Sequence, residues 1–460
     1  MHFDTDPAAP YTEPSGSPVP VHGVAEGGLD DAPVTDAQRA FAAASGFQGK
    51  AGTHCLVPGG DGALAAVLFG AAGFDADDPQ ASLAAGALAR DLPAGTYRLE
   101  GDLDTPAARL AWGLGAYRFE RYREAKTGRP RLAAVPDARR TAILEGVYLA
   151  RDLVNTPAND LGPEALEGAV RRVAEAHGAT VEATVGDDLL PGFPMVHAVG
   201  RASDGAPRVI DLTWGDADAP KVTLVGKGVT FDTGGLNIKP GASMALMKKD
   251  MGGAANTLAL AHMIMAAGLP VRLRLIVGAV ENAIAGNAFR PGDVLATRKG
   301  ITVEIGNTDA EGRLVLGDCL ALADEEAPDL LIDMATLTGA ARVAVGPDLP
   351  AFFTRDDDLA DAVSKAGVAQ ADPVWRLPLW SPYRRMLQSK VADVNHISTG
   401  GFAGSITAAL FLEKFVEQAA SFAHIDVFAW TPEPRPHAPV GGEAQAVRAL
   451  FAHIAAVYAK

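Results

Sequence analysis

From residue 208 onward, short β-rich apolar runs alternate with stretches of helical periodicity, and few architectures accommodate that alternation. Strands are expected near 208 to 213, 221 to 226, 271 to 279, 301 to 306, 329 to 335 and 422 to 428. Helices are expected near 252 to 267, 313 to 325, 357 to 367 and 405 to 419. Strands separated by crossover helices build a mainly parallel sheet covered on both faces. Ligands in such sheets gather beyond the carboxyl ends of the strands, so the residues following each strand are where chemistry is expected.

A chain of 460 residues exceeds what one hydrophobic core usually supports, which implies a second unit upstream. Residues 1–35 carry Pro7, Pro10, Pro14, Pro18, Pro20 and Pro33 among Gly and Ser, and are expected to form an irregular arm. Residues 36–135 mix apolar runs such as Ala65-Ala66-Val67-Leu68-Phe69 with a helix-like stretch at 107 to 123, which suggests a small α/β domain. Residues 136–155 read as a connecting helix, closed by the turn-forming Asn155-Thr156-Pro157-Ala158-Asn159. Residues 156–460 would form the larger domain. The fold class expected is therefore α/β: a smaller N-terminal α/β domain, then a larger domain with a mainly parallel central sheet between helices.

Hydrophobic residues make up 48% and charged residues 21% of the chain, the balance of a globular protein. There is no run of about 18 apolar residues, and Met1-His2-Phe3-Asp4-Thr5-Asp6 lacks the basic start of a signal peptide. A cytoplasmic protein with no membrane partner is expected. A formal charge of -16 opposes attraction to phosphate backbones and anionic lipid. Cys55 and Cys319 are too few and too far apart for a disulfide framework or a thiolate metal site, and are expected to be buried as small apolar residues.

Two segments concentrate the chemistry. Gly226-Lys227-Gly228-Val229-Thr230-Phe231-Asp232-Thr233-Gly234-Gly235 follows one expected strand, with Lys239 and Lys248-Lys249-Asp250-Met251-Gly252-Gly253 soon after. Asn307-Thr308-Asp309-Ala310-Glu311-Gly312-Arg313 follows another. Asp309 and Glu311 are two apart, so an extended backbone would turn both carboxylates to one side. With Asp232 and Asp250 they make four carboxylates, which could not all stay ionised together without cations. Two divalent ions would offset that charge, and an oxygen-rich site without His suits Mg²⁺ or Mn²⁺, with Zn²⁺ also acceptable. Taken singly, each Asp or Glu reads as a helix cap or turn former, and each of Lys227, Lys239 and Arg313 as a solvated charge.

Other chemistries lack their residues. Phe231 breaks a dinucleotide-binding glycine fingerprint, and Gly228 stands where a phosphate loop needs Ser or Thr after its Lys. There is no H-E-x-x-H and no G-x-S-x-G. His262, in an apolar helical run, and His396, near a Gly-rich loop, read as packing or surface groups. A nucleic-acid-binding or scaffold role around a relic site is the competing class of function, and the acidic balance disfavours it.

The segments 225–235, 248–253 and 307–314 resemble the signature of the leucyl (cytosol) aminopeptidase family. The resemblance extends through Arg290-Pro291-Gly292-Asp293-Val294 and Ala335-Thr336-Leu337-Thr338-Gly339-Ala340, over roughly 150 to 430, and no motif is matched in the N-terminal 140 residues. It implies a metallo-aminopeptidase that hydrolyses peptides bearing a free N-terminus. It further implies that Lys227, Asp232, Asp250 and Glu311 hold one divalent metal ion, and Asp232, Asp309 and Glu311 the other. Mn²⁺ or Zn²⁺ would serve, and Mg²⁺ is a further candidate. Lys239 would be an electrophile on the scissile carbonyl, and Arg313 would anchor a bicarbonate ion that shuttles protons. Leu337 and Gly339 would hold the peptide through backbone groups, with Met247 near the side-chain pocket. The resemblance also implies a homohexamer. The stretch 424 to 445 departs from the ending of the commoner members, which bears on substrate preference.

Overall fold

The computed structural model describes residues 6–71, 78–124 and 128–459. Near the N-terminus, β1 (Tyr11–Thr12), β2 (Val19–Val24), β3 (His54–Pro58), β4 (Leu64–Gly70), β5 (Gly95–Glu100) and β6 (Pro130–Ala133) form one sheet in the order β1-β6-β5-β2-β4-β3. The expected irregular arm over 1–35 thus supplies two of its strands. Only residues 1–5 of that arm lie outside the described residues, as do 72–77 and 125–127 of the expected 36–135 unit and Lys460 of the last one. β2 sits between β4 and β5, parallel to both, with Val21 and Val24 buried. Pro20 is tolerated as the second residue of its strand, where the reading of the prolines as breakers outweighed the Val19–Val21 alternation.

The helix Ala138–Asn155 follows, its first turn capped by the Asp137 carboxylate, which accepts from the Arg140 amide. The chain then runs through β7 (Thr180–Val185), β8 (Arg208–Trp214), β9 (Lys221–Asp232), β10 (Arg272–Asn282), β11 (Val294–Ala296), β12 (Thr302–Glu304), β13 (Leu330–Ala335), β14 (Ala351–Thr354), β15 (Trp375–Arg376), β16 (Val394–Asn395) and β17 (Phe422–Asp426). The central sheet has the order β15-β14-β17-β13-β9-β10-β8-β7. Its middle, β17-β13-β9-β10, is parallel throughout, and antiparallel pairings join it to β14 on one side and β8 on the other.

Two expectations are corrected. The strand near 301 to 306 shortens to β12 and pairs with β11 and β16 in a separate sheet. The strand near 221 to 226 continues to Asp232, because β10 stays paired with it through Gly228 to Asp232 after its pairing with β13 ends at Gly226. Helices Gly252–Ala266 and Gly312–Asp324 cover opposite faces: Val222 and Leu224 pack with Leu258, and Val225 and Val229 with Leu314 and Val315. Leu224 is wholly buried, so truncating it to Ala would cost roughly 2–5 kcal/mol.

Candidate metal centre

The carboxyl ends of β9, β13 and β17 meet at one cleft of about 440 Å³. All ten residues singled out from the sequence line it. On β9, Val225, Lys227 and Val229 alternate with the residues facing the other side, so Lys227 points toward helix Gly312–Asp324. Asp232 lies five residues beyond Lys227, an odd count that would turn it away in a regular strand. The pairing with β10 shows why it does not: Val280 pairs with Val229 and Asn282 with Asp232, so β9 spends one residue more than its partner. That bulge restores Asp232 to the side of Lys227.

The turn carrying Asp309 and Glu311 is not extended, contrary to the spacing argument. The Asn307 side chain accepts from the Asp309 amide at 2.9 Å and starts the 3₁₀ turn Thr308–Ala310, which leads directly into helix Gly312–Asp324. The Thr308 hydroxyl donates to the Gly234 carbonyl at 2.7 Å, and the Thr308 amide donates to Asn237 Oδ1 at 2.9 Å. The two loops are thereby fastened together. Gly234 and Gly235 allow this approach, both with positive φ (+88° and +61°).

Asp232, Asp309 and Glu311 offer oxygens that all lie within 4.8 Å of one another. Lys227 Nζ stands 2.7 Å from Asp250 Oδ2 and 3.0 Å from Glu311 Oε1, and donates to the Thr336 carbonyl at 2.8 Å. Lys239 Nζ lies 2.8 Å from Asp232 Oδ2 and also contacts Asp309 Oδ1. Burial pushes Asp232 well above the usual carboxylate range, with Glu311 and Asp250 adding to the effect. Burial likewise raises Glu311, against the pull of Lys227. Burial would raise Asp250 too, but Lys227 and Lys249 bring it below its ordinary value. Lys227 is the converse case, since burial would lower it and Asp250, Glu311 and Asp232 hold it above the usual lysine value.

These donors fit a cation site. Four carboxylates face two ammonium groups, which leaves the cluster acidic, and Glu311 Oε2 is buried with no hydrogen-bond partner among the described residues. An oxygen in that position costs free energy until a cation or donor meets it.

Around the cluster, the Asn282 side chain donates to Asp232 Oδ1 at 2.8 Å, and the Thr336 hydroxyl donates to Asp250 Oδ1 at 2.8 Å. Arg313 is buried and donates from one terminal nitrogen to the His396 carbonyl at 2.7 Å, while its Nε has no partner among the described residues. Burial lowers Arg313 to about 10, with Glu311 opposing. His396 Nδ1 accepts from the Gly306 amide at 3.1 Å and its Nε2 donates to the Asn307 carbonyl at 2.9 Å, so it fixes the turn that presents Asp309. Asp426, at the end of β17, accepts from the Leu337 and Thr338 amides at 3.0 and 3.2 Å and from the Thr338 hydroxyl at 2.6 Å. It thereby sets the loop that carries Leu337 and Gly339. Met247 shares a 3₁₀ turn with Asp250. Burial lowers Lys249 of that turn to about 8, partly offset by Asp250.

Asn282 and Asp426 were not among the residues singled out from the sequence, and His396 was read there as a packing or surface group. Asn282 and Asp426 end strands of the parallel core, and the strand-end rule would have found both had the boundaries near 279 and 428 been set at 282 and 426. His262 is buried between His177 and Glu145, as expected for a packing residue.

A family model described as "Cytosol aminopeptidase family, catalytic domain" matches residues 148–451, and another, "M17 aminopeptidase, N-terminal domain", matches residues 19–135. The second match gives the N-terminal region, which held no recognised motif, a counterpart. A probable cytosol aminopeptidase of Roseiflexus castenholzii is 42% identical over 372 residues, 76% of each chain. The crystal structure of the cytosol aminopeptidase from Coxiella burnetii is 48% identical and superposes with a TM-score of 0.93, over 98% of this chain and 100% of that one. The bottromycin maturation enzyme BotP in complex with Mn is 36% identical, with a TM-score of 0.86 over 96% of this chain and 100% of BotP.

Proposed function

The chain belongs to the cytosol aminopeptidase family and is a metal-dependent aminopeptidase acting on peptides, and from that premise we propose how its residues divide the work. The observation that carries the proposal is the cluster of four carboxylates about Lys227 and Lys239, in which buried Glu311 Oε2 lacks a hydrogen-bond partner among the described residues. Lys227, Asp232, Asp250 and Glu311 would hold one ion and Asp232, Asp309 and Glu311 the other, so that Asp232 and Glu311 are shared. When bound, two divalent ions polarise a peptide carbonyl and lower the pKa of a water molecule. Mn²⁺ is supported by the Mn complex of BotP, and Zn²⁺ or Mg²⁺ remain compatible with an oxygen-rich set.

The protein groups supply the rest. Lys239, at the edge of the carboxylates, donates to the carbonyl oxygen as negative charge develops there. Leu337 and Gly339 bind the peptide backbone, on a loop that Asp426 holds in place, and Met247 stands beside the first side chain. Arg313, fixed through the His396 carbonyl and with its Nε lacking a partner among the described residues, would hold a bicarbonate ion, which would supply a proton shuttle between water and the leaving amine. We further propose a homohexamer in the cytoplasm, on the strength of the family resemblance and the relatives' name.

Hydrolysis of leucine amide and of a leucyl dipeptide, with and without chelator, tests the reading. Turnover should vanish with chelator and return with Mn²⁺, and the N-acetylated dipeptide should be near-inert. Equal turnover of the acetylated and free dipeptides would show that a free α-amine is not required.

A further inference from the structure

Beside the carboxylates, the cleft has a second wall of opposite charge. Lys249 is only 5% exposed and lines the cleft, with its Nζ 4.6 Å from the centre of the Phe428 ring. The Arg342 guanidinium lies over the same ring at 5.0 Å. Neither cation has a hydrogen-bond or ion-pair partner on its side chain among the described residues. The carboxylates nearest them are engaged elsewhere: Asp250 by Lys227 and Thr336, and Asp426 by the Leu337 and Thr338 amides and the Thr338 hydroxyl.

In a chain with 56 acidic and 40 basic side chains, two cations sharing one aromatic ring without an acidic partner is an arrangement with a cost. A buried ammonium loses hydration that the ring replaces only in part. An anionic ligand group between the two would restore the balance, with Phe428 as an apolar wall for the carbon chain that carries it. Lys249 shares the turn Met247–Met251 with Met247, and Arg342 lies on the short helix Gly339–Val345 that begins at Gly339. Lys249 therefore stands beside the residue assigned to the first side chain, and Arg342, which shares the Phe428 ring with it, reaches that place from the loop assigned to the peptide backbone.

We propose that Lys249 and Arg342 receive the side-chain carboxylate of the substrate's N-terminal residue, so that peptides beginning with Glu or Asp are favoured over their amide counterparts. This rests on the aminopeptidase reading and adds a substrate class to it. Glutamine is the matched control, because it differs from glutamate in charge and hardly in shape.

The test compares glutamyl-, glutaminyl- and leucyl-4-nitroanilide as substrates of the Mn²⁺-loaded enzyme and of its Lys249→Met and Arg342→Met variants. The glutamyl substrate should exceed the glutaminyl one about tenfold or more in kcat/KM, and either substitution should bring that ratio close to one. Arg342 is exposed, so its replacement does not threaten the fold. A ratio at or below one in the native enzyme, or a ratio that neither substitution moves, overturns the proposal while turnover of the leucyl substrate leaves the aminopeptidase reading intact. Loss of turnover on all three native-enzyme assays would overturn both. Leu-Gly and Leu-Gly amide form the last arm: a preference for the free dipeptide that disappears on substitution would move the pair to the leaving-residue side and reject the assignment.

Discussion

Gly312 and Lys227 occupy space that only one of them can fill: a Cβ on Gly312 would lie 2.4 Å from Lys227 Cε and 2.8 Å from its Nζ. Gly312 begins a helix, where Ala is intrinsically favoured by about 1 kcal/mol. Propensity and packing therefore predict opposite signs for Gly312→Ala. Because Lys227 is pinned by Asp250, Glu311 and the Thr336 carbonyl, packing should prevail, displacing the amine and lowering turnover on the order of 10²-fold. Circular dichroism should show the fold retained, and metal analysis should show less than the native content.

Metal binding at Lys227 should release a proton. The surrounding carboxylates hold that lysine as an ammonium, above its usual range, whereas only the neutral amine has a lone pair to give. Calorimetric titration of Mn²⁺ in buffers of different ionisation enthalpy counts the protons. The native protein should release more than Lys227→Met, and its affinity should weaken more steeply as pH falls. Equal release from both proteins would remove Lys227 from the ligand set.

Asp426 should matter through the loop it anchors. Asp426→Asn keeps the shape but loses the charge on the oxygen that accepts from both the Leu337 and Thr338 amides, and turns one of its two acceptor oxygens into a donor. Hydrogen bonds to charged groups are worth roughly 1.5–3 kcal/mol, so kcat/KM should fall about tenfold or more, chiefly through KM, with metal content unchanged.

His396 makes stability depend on acid. Burial, with Arg313 adding to it, lowers this histidine to about 3, against about 6.5 in the unfolded chain. The folded state therefore binds fewer protons, and the stability His396 confers is complete above about pH 6.5 and lost as pH falls toward 3. At pH 5.5 the loss should be about 1.4 kcal/mol. Urea midpoints at pH 7.5 and 5.5 should draw apart further in the native protein than in His396→Gln, which does not titrate.

The alternation of strands and helices was legible because each parallel core strand carries its own apolar run, and strand ends then pointed to Lys227, Asp232 and the Asn307–Arg313 segment. What escaped depended on partners distant in sequence. Val19–Val24 became a central strand only because β4 and β5 bracket it, which no count of prolines reveals. Asp309 and Glu311 were assigned to extended backbone from their spacing, whereas the Asn307 side chain competes for the Asp309 amide and closes a turn. His396 reaches the same turn from about 90 residues away, a contact without a local signal.

The extra residue between Val229 and Asp232 has a consequence for how this sequence can change over generations. Strand β9 is paired with β10 on either side of that residue, so its length is counted against this neighbour and not merely tolerated by it. Deleting Thr230 or Phe231 would straighten the pairing and rotate Asp232 to the opposite face, with every ligand still encoded. Residues within such a segment can be exchanged one for another far more freely than they can be gained or lost. A descendant that lost one codon there would keep the whole motif alphabet and forfeit the geometry it spells.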